Sequence, residues 1–350
     1  MRGDFSQLAL DAGVYSQVLM QQGRVLVDAD WNAAGTALLT AQRALAADLI
    51  GPHGGPATDL GFSIAGTTSD FEIGPGVYYV DGIRCALAPD AAGPDGAVRW
   101  SRQPYPPFGD TPTLPDPPRL AYLDLWERHV TCLQDDTIRE VALGGPDTTS
   151  RVQVVWQVRV MSIAGDDGGA FRTSGTDFPL EAWRSQLAGQ PPQLRVWARE
   201  PADRDDTPCL AGPDARYRGA ANCLYRVEIA SAAPPTFVWS RENGSVVAGW
   251  NETDGADLRV TGVRDTARGF TAGDWVELTW DTLELAGQAG TRARVAQVDR
   301  AVVDRAVITL DPATATGPIA ATPVPHAQVR RWDQRERTDH PLTGGAVPVI

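Results

Sequence analysis

The chain has 350 residues, a length of about two domains, and its 31 basic residues, all arginine, stand against 44 Asp and Glu for a net charge of −13. So acidic a chain, with no Arg-dense stretch, lacks the cations that neutralise nucleic-acid phosphates or an anionic membrane surface, and neither partner is expected. No run approaches the roughly 20 apolar residues of a spanning helix, and the start has no apolar signal core, so neither a membrane span nor Sec export is expected.

The first regular element predicted is a helix over Asp30 to Leu49, because Ala34, Leu38, Ala41, Leu45 and Leu49 recur at helical spacing. Asp28 or Asp30 is its expected cap, and Gly51-Pro52 its stop. The stretch ahead of it, Val14 to Val27, reads as an extended arm or a short strand. After Pro52 the chain changes to short β-type runs between Gly and Pro, among them Phe71 to Ile73 and Val77 to Val80. A proline-rich loop fills 101–119, and strands resume over Leu120 to Val130 and Val152 to Met161. A short helix is expected over Leu180 to Leu187, and the Pro/Asp/Gly-rich segment Glu200 to Asp214 is the expected boundary of the next module. Six further strands are predicted at Leu224 to Ile229, Phe237 to Ser240, Leu258 to Val263, Trp275 to Trp280, Arg292 to Val298 and Val307 to Leu310. The fold class is therefore mainly β with an N-terminal α-helix, a β-hairpin or sandwich module being followed by a small β-barrel or sandwich. The predicted division is an arm and helix over 1–52, a first β-rich module over 53–200 and a second, Trp-rich β-module over 201–350.

Catalytic patterns do not emerge. Asp28, Asp30 and Asn32 have the first spacings of a calcium loop, but Ala33 stands where that loop needs Gly and Leu39 where it needs Glu. His129, with Asp124 or Asp136, could be drawn as an acid/base pair. Strand alternation instead puts His129 with Glu127 on one face and Trp126 with Arg128 on the other. There is no G-x-S-x-G elbow and no phosphate-binding glycine loop. Cys85, Cys132, Cys209 and Cys223 form no C-x-x-C pair, so no zinc or redox site is expected; Cys209 and Cys223 could pair if the chain were exported. No cofactor, metal site or catalytic residue is expected. Eleven tryptophans stand out, five of them in the last 112 residues. Trp250 and Trp280 are candidates for a glycan-binding platform, with filling of small β-cores as the alternative.

Several blocks resemble a known family. They are Gly3-Asp4-Phe5-Ser6, then Val18 to Asn32 (VLMQQGRVLVDADWN), Leu45 to Pro52 (LAADLIGP), Tyr122 to Val130 (YLDLWERHV), Arg139 to Thr148 (REVALGGPDT), Tyr217 to Asn222 (YRGAAN), Phe237 to Val246 (FVWSRENGSV) and Arg330-Arg-Trp-Asp333. They are similar to an uncharacterised bacterial domain family that recurs among phage-tail-like proteins and in contractile injection system gene clusters. Ile73 to Gly82 (IGPGVYYVDG) separately looks like a hairpin motif near the N-termini of tail-fibre and baseplate proteins.

The resemblance implies a structural component of a contractile, phage-tail-like particle at its baseplate, spike or fibre-attachment region. Its partners would be other subunits, with homo-oligomerisation within the particle, and assembly would take place in the cytoplasm. Three or six copies fit such symmetry, although no heptad seam would drive trimerisation by itself. The interface candidates are Leu38, Leu45 and Leu49 on the helix and Phe5, Tyr15, Met20 and Trp31 in the arm, an intrachain core being their other reading. Alternatives are a glycan- or surface-binding β-module and a particle-borne cell-wall hydrolase.

Overall fold

A computed structural model describes residues 1–6, 15–66, 70–88, 96–109, 111–117, 119–163, 183, 185, 193–195, 223–263, 269–302, 304–320, 324–338 and 340–349. The expected helix at 180–187, apart from Trp183 and Ser185, lies outside them, as do the segment 200–214 and Cys209. The chain divides into two compact units, one of residues 1–114, 121–159 and 224–350, the other of 115–120 and 160–223. All that follows concerns the first.

Residues 15–27 carry no helix or strand, and helix α1 then runs over Asp28–Ile50. It starts earlier than its apolar spacing predicted, with Val27 in the cap position and no side-chain cap. Asp28 is occupied otherwise, accepting a hydrogen bond from the Ser6 hydroxyl. Gly51 ends the helix in a positive-φ conformation, its N–H returning to the Ala47 carbonyl at 2.8 Å.

Short strands follow: β1 (His53–Gly54), β2 (Ile64–Ala65), β3 (Glu72–Ile73), β4 (Gly76–Val80), β5 (Ile83–Leu87) and β6 (Val98–Arg99). They form two three-stranded sheets, in the orders β1-β4-β5 and β2-β3-β6. The β4–β5 hairpin turns on Asp81-Gly82, both residues at positive φ, the geometry that makes Asp-Gly a favoured two-residue hairpin turn. The long strands β7 (Arg119–Val130) and β8 (Arg151–Ser162) pair with each other.

Next come β9 (Arg226–Ala232), β10 (Pro235–Ser240), β11 (Val247–Asp254), β12 (Asp257–Val263), β13 (Trp275–Thr279), helix α2 (Asp281–Ala286), β14 (Thr291–Val302), β15 (Asp304–Asp311), β16 (Gln328–Trp332) and β17 (Val347–Pro348). Six of these close an antiparallel barrel in the order β11-β12-β15-β14-β13-β16. Closure removes the free edges that open sheets expose. Its interior is filled by Ala248, Trp250, Leu258, Val260, Val276, Leu278, Val295, Ile308, Leu310 and Val329. Two of the six strands predicted for this region, at 224–229 and 237–240, lie outside the barrel and pair with β17 as a separate sheet in the order β17-β10-β9. Their places in the barrel are taken by β11 and β16.

Both faces of β13 and β16 are covered. Val276, Leu278 and Val329 point into the barrel, and the alternate residues Trp275, Glu277, Gln328, Arg330 and Trp332 are buried on its outside. That outer layer contains a carboxylate and a guanidinium, Glu277 and Arg330, which are register partners on adjacent strands.

Candidate functional site

Two features stand apart from ordinary core packing: the outer face of α1 and a polar cavity against the outside of the barrel. In α1 one residue of 23 is buried, Ala33. The face turned to the body is built of small or tethered groups. Arg43 makes an ion pair with Glu127 on β7, and the β4–β5 turn packs on the Arg43 carbonyl at Gly82, where a Cβ would clash with that oxygen. The large apolar residues point the other way, with Trp31, Leu38, Leu45 and Leu49 at 72%, 71%, 60% and 78% exposure. Ordinary surface helices place that stripe against the core. The arm repeats the pattern, since Tyr15, Leu19, Met20, Val25 and Leu26 are exposed as well.

Six of the seven interface candidates are therefore solvent-facing, and the seventh belongs elsewhere. Phe5 is half-buried with its ring 5.1 Å from that of His129, and the neighbouring Ser6 carbonyl accepts from Asn32 at 2.9 Å. Residues 1–6 are thus part of the body rather than of the exposed arm.

These same residues wall a cavity of about 960 Å³ together with the ends of β7 and β9, α2 and the outer face of β16. Arg2 donates from Nε to Glu228 Oε1 at 2.7 Å, makes a second bond to the other carboxylate oxygen, and lies 5.8 Å over the Trp332 ring. Arg226 donates to the same carboxylate. Burial pushes the Glu228 carboxyl up, but the hydrogen bonds and charges of Arg2 and Arg226 outweigh it and hold the group below its usual range. Arg128 bonds Glu284 at 2.7 Å and Asp281, both on α2. Glu277 accepts from the Gly290 N–H at 2.9 Å and from Trp332 Nε1 at 3.0 Å. Burial and the neighbouring Arg2 charge push the Arg330 guanidinium down to about 10.

His129 Nε2 lies 2.7 Å from Ser150 Oγ, a spacing that superficially suggests a base and a nucleophile. The ring is also hydrogen-bonded to the Arg2 backbone and packs against Gly3, where any Cβ would collide with it. Burial lowers its pKa, so the neutral imidazole bridges the N-terminal segment and the residues before β8. The arrangement acts as a clamp. Trp250 fills the barrel interior, its Nε1 donating to Thr253 Oγ1 at 2.9 Å, and Trp280 is half-buried against the same core. Cys85 and Cys132 are buried thiols. Among the described residues no group of three or more His, Cys, Asp or Glu is placed to hold a metal ion, and no helix is long and apolar enough to cross a membrane.

The polar outer face of β16 is the feature that sequence reasoning missed. Its signal was the Arg330-Arg-Trp-Asp333 block, in which consecutive arginines conceal a strand. The fold is thus that of a β-rich protein with a closed six-stranded barrel, a clamped N-terminal segment and an outward-facing apolar helix. The chain belongs to a family of unknown function, DUF6519, whose model matches residues 1–172 and 180–347. No curated protein and no solved structure matches the chain.

Proposed function

We propose that this protein is a non-catalytic structural subunit of a phage-tail-like contractile injection particle, assembled in the cytoplasm and sited at the baseplate, spike or fibre-attachment region. The observation that carries an assembly role is the outer face of α1, where four large apolar side chains point away from the body. Contiguous exposed apolar surface of this kind marks protein–protein contact sites. A helix held to its own body largely through small residues draws little stability from packing, which is where most helices in proteins find theirs. A neighbouring subunit would supply the missing side. The tail-like particle itself is inferred from the resemblance of the N-terminal, central and C-terminal blocks. The groups that could suggest chemistry, His129, Ser150, Glu228 and Glu277, are already engaged in holding elements together.

The test is to pellet sheath-containing particles from the native host and detect the chain by mass spectrometry, with a sheath-deletion strain as control. A second arm uses Leu38→Gln/Leu45→Gln, which changes two exposed side chains. Co-sedimentation lost in the control strain and in the variant is the expected result. Absence of the native chain from the pellet would overturn the reading.

A further inference from the structure

The outer stripe of α1 is built so that it matches itself when reversed, and we infer that it binds the same stripe of a second copy of this chain, antiparallel, about a two-fold axis near residues 39–40. This inference rests on the reading of that face as an interface and names its occupant.

The residues that share the outer face are Trp31, Ala34 and Gly35, Leu38, Ala41 and Gln42, Leu45 and Leu49, recurring at helical steps. Reversal about 39–40 sets Leu45 of one copy over Ala34 and Gly35 of the other. It also sets Leu38 against Ala41 and Gln42, and Trp31 against Leu49 at each end. Between those ends, each leucine meets a small or narrow position, so the layers keep similar volume. In the parallel arrangement Trp31 would meet Trp31 and Leu38 meet Leu38, while Gly35 would face Gly35 across a gap. Close packing disfavours such uneven layers.

Gly35 gives an independent reason. It lies well inside the helix, where glycine is a poor residue, and a Cβ there would have nothing within 4 Å. Neither a positive φ nor a close intrachain neighbour explains it. An incoming Leu45 does. The stripe is also suitably uncharged: from Trp31 to Ala47 the one charged residue is Arg43, and that is paired with Glu127 on the opposite side. Two copies of a chain with net charge −13 can approach on such a face. Asp30 and Asp48 flank it, and the two-fold brings Asp30 of one copy towards Asp48 of the other, so added salt should tighten the pair.

The area is consistent with an arm that takes part. At about 1.5 Å per residue the helix is roughly 34 Å long, and a strip of that length and about 10 Å wide falls below the roughly 800 Å² per partner of a stable interface. Exposed Leu19, Val25 and Leu26 of the arm are available to supply the rest. An isologous contact of this kind uses one patch twice and closes on itself. Six copies in a particle would then be three such pairs.

The experiment measures the mass of the full chain by light scattering across concentration, then oxidative cross-linking of Ala34→Cys copies mixed with Leu45→Cys copies, with Leu38→Cys alone for comparison. A concentration-dependent dimer, faster cross-linking of the mixed pair than of Leu38→Cys with itself, and at least roughly 100-fold weakening in Leu38→Gln/Leu45→Gln are expected. Gly35→Leu should weaken the dimer at least about tenfold while raising helix content in the monomer, which a merely solvent-facing glycine would not do. A chain that stays monomeric at several hundred micromolar, or one in which Leu38→Cys self-linking dominates, overturns the inference. If the native chain is monomeric and Leu38→Gln/Leu45→Gln is still lost from particles, the second copy is wrong and the structural role stands. If the variant abolishes the dimer and incorporation is unchanged, the dimer stands and the role of this face in the particle falls.

Discussion

Gly82 and Arg43 meet so closely that the hairpin turn and the helix cannot both keep their places if residue 82 carries a Cβ. Gly82 also has φ +76, where a side chain is strained irrespective of space. Gly82→Ala should therefore cost about 1–3 kcal/mol and loosen α1 from the hairpin. Thermal unfolding gives the cost. Faster amide exchange in 40–50 than in the barrel strands would locate it, and an exchange pattern identical to the native one would refute the docking role of Gly82.

Glu228 holds two guanidiniums, so its removal leaves both Arg2 and Arg226 without a carboxylate partner. Breaking a fully buried pair costs about 3–5 kcal/mol. Arg2 keeps 29% side-chain exposure, which reduces the expected cost of Glu228→Ala to about 2 kcal/mol. The folded pKa lies below the usual 4.5, so this stabilisation is complete above that pH and disappears as pH falls through the folded value. Acid titration of the native chain and Glu228→Gln should differ below about pH 4.5 and converge at the acid end; parallel curves would count against the linkage.

His129 gives a second, separate pH window. Its folded pKa is lowered from 6.5 by burial, so the unfolded chain binds the proton more readily. Stability is full above about pH 6.5 and declines as pH falls from there towards the folded pKa. Urea unfolding at pH 7.5 and 5.5 should show this loss in the native chain and a smaller one in His129→Gln. Equal losses would mean that another group controls that range.

Trp250 separates the core reading from the glycan-binding one. Removing a large aromatic side chain from a barrel interior costs about 3–5 kcal/mol, and Trp250→Ala should show that loss with no specific effect on carbohydrate binding. Unchanged stability together with lost retention on a glycan array would reverse the assignment.

What the sequence disclosed follows which faces are covered. The helix over 28–50 was legible because its apolar residues keep a period of three and four, but periodicity cannot say in which direction a stripe points. The small residues on the opposite face, Ala29, Ala33 and Ala37, were the available hint, since a helix can rest on alanines and keep its leucines for a neighbour. Strands β7 and β8 were legible from long alternating runs. Strand β16 was not, because with the barrel on one side and the N-terminal segment on the other, Gln328-Val-Arg-Arg-Trp332 has no solvent face to impose alternation. Strand β11 was obscured by Gly249 and by its polar end, Asn251 to Asp254. The cavity was illegible for another reason: Arg2, Arg128, Glu228 and Arg330 are brought together by tertiary packing, and nothing in their spacing announces it.

The Arg2–Glu228 pair spans 226 residues of chain. During synthesis at about 5–20 residues per second, Arg2 is made roughly 10–45 s before its carboxylate exists, and Trp332, over which it lies, comes later still. The N-terminal clamp is therefore among the last parts of the body that can close. Helix α1, whose residues are local to one another, can form early and wait. The first element made is thus also one of the last to be fastened, and its outward leucines are presented throughout that interval.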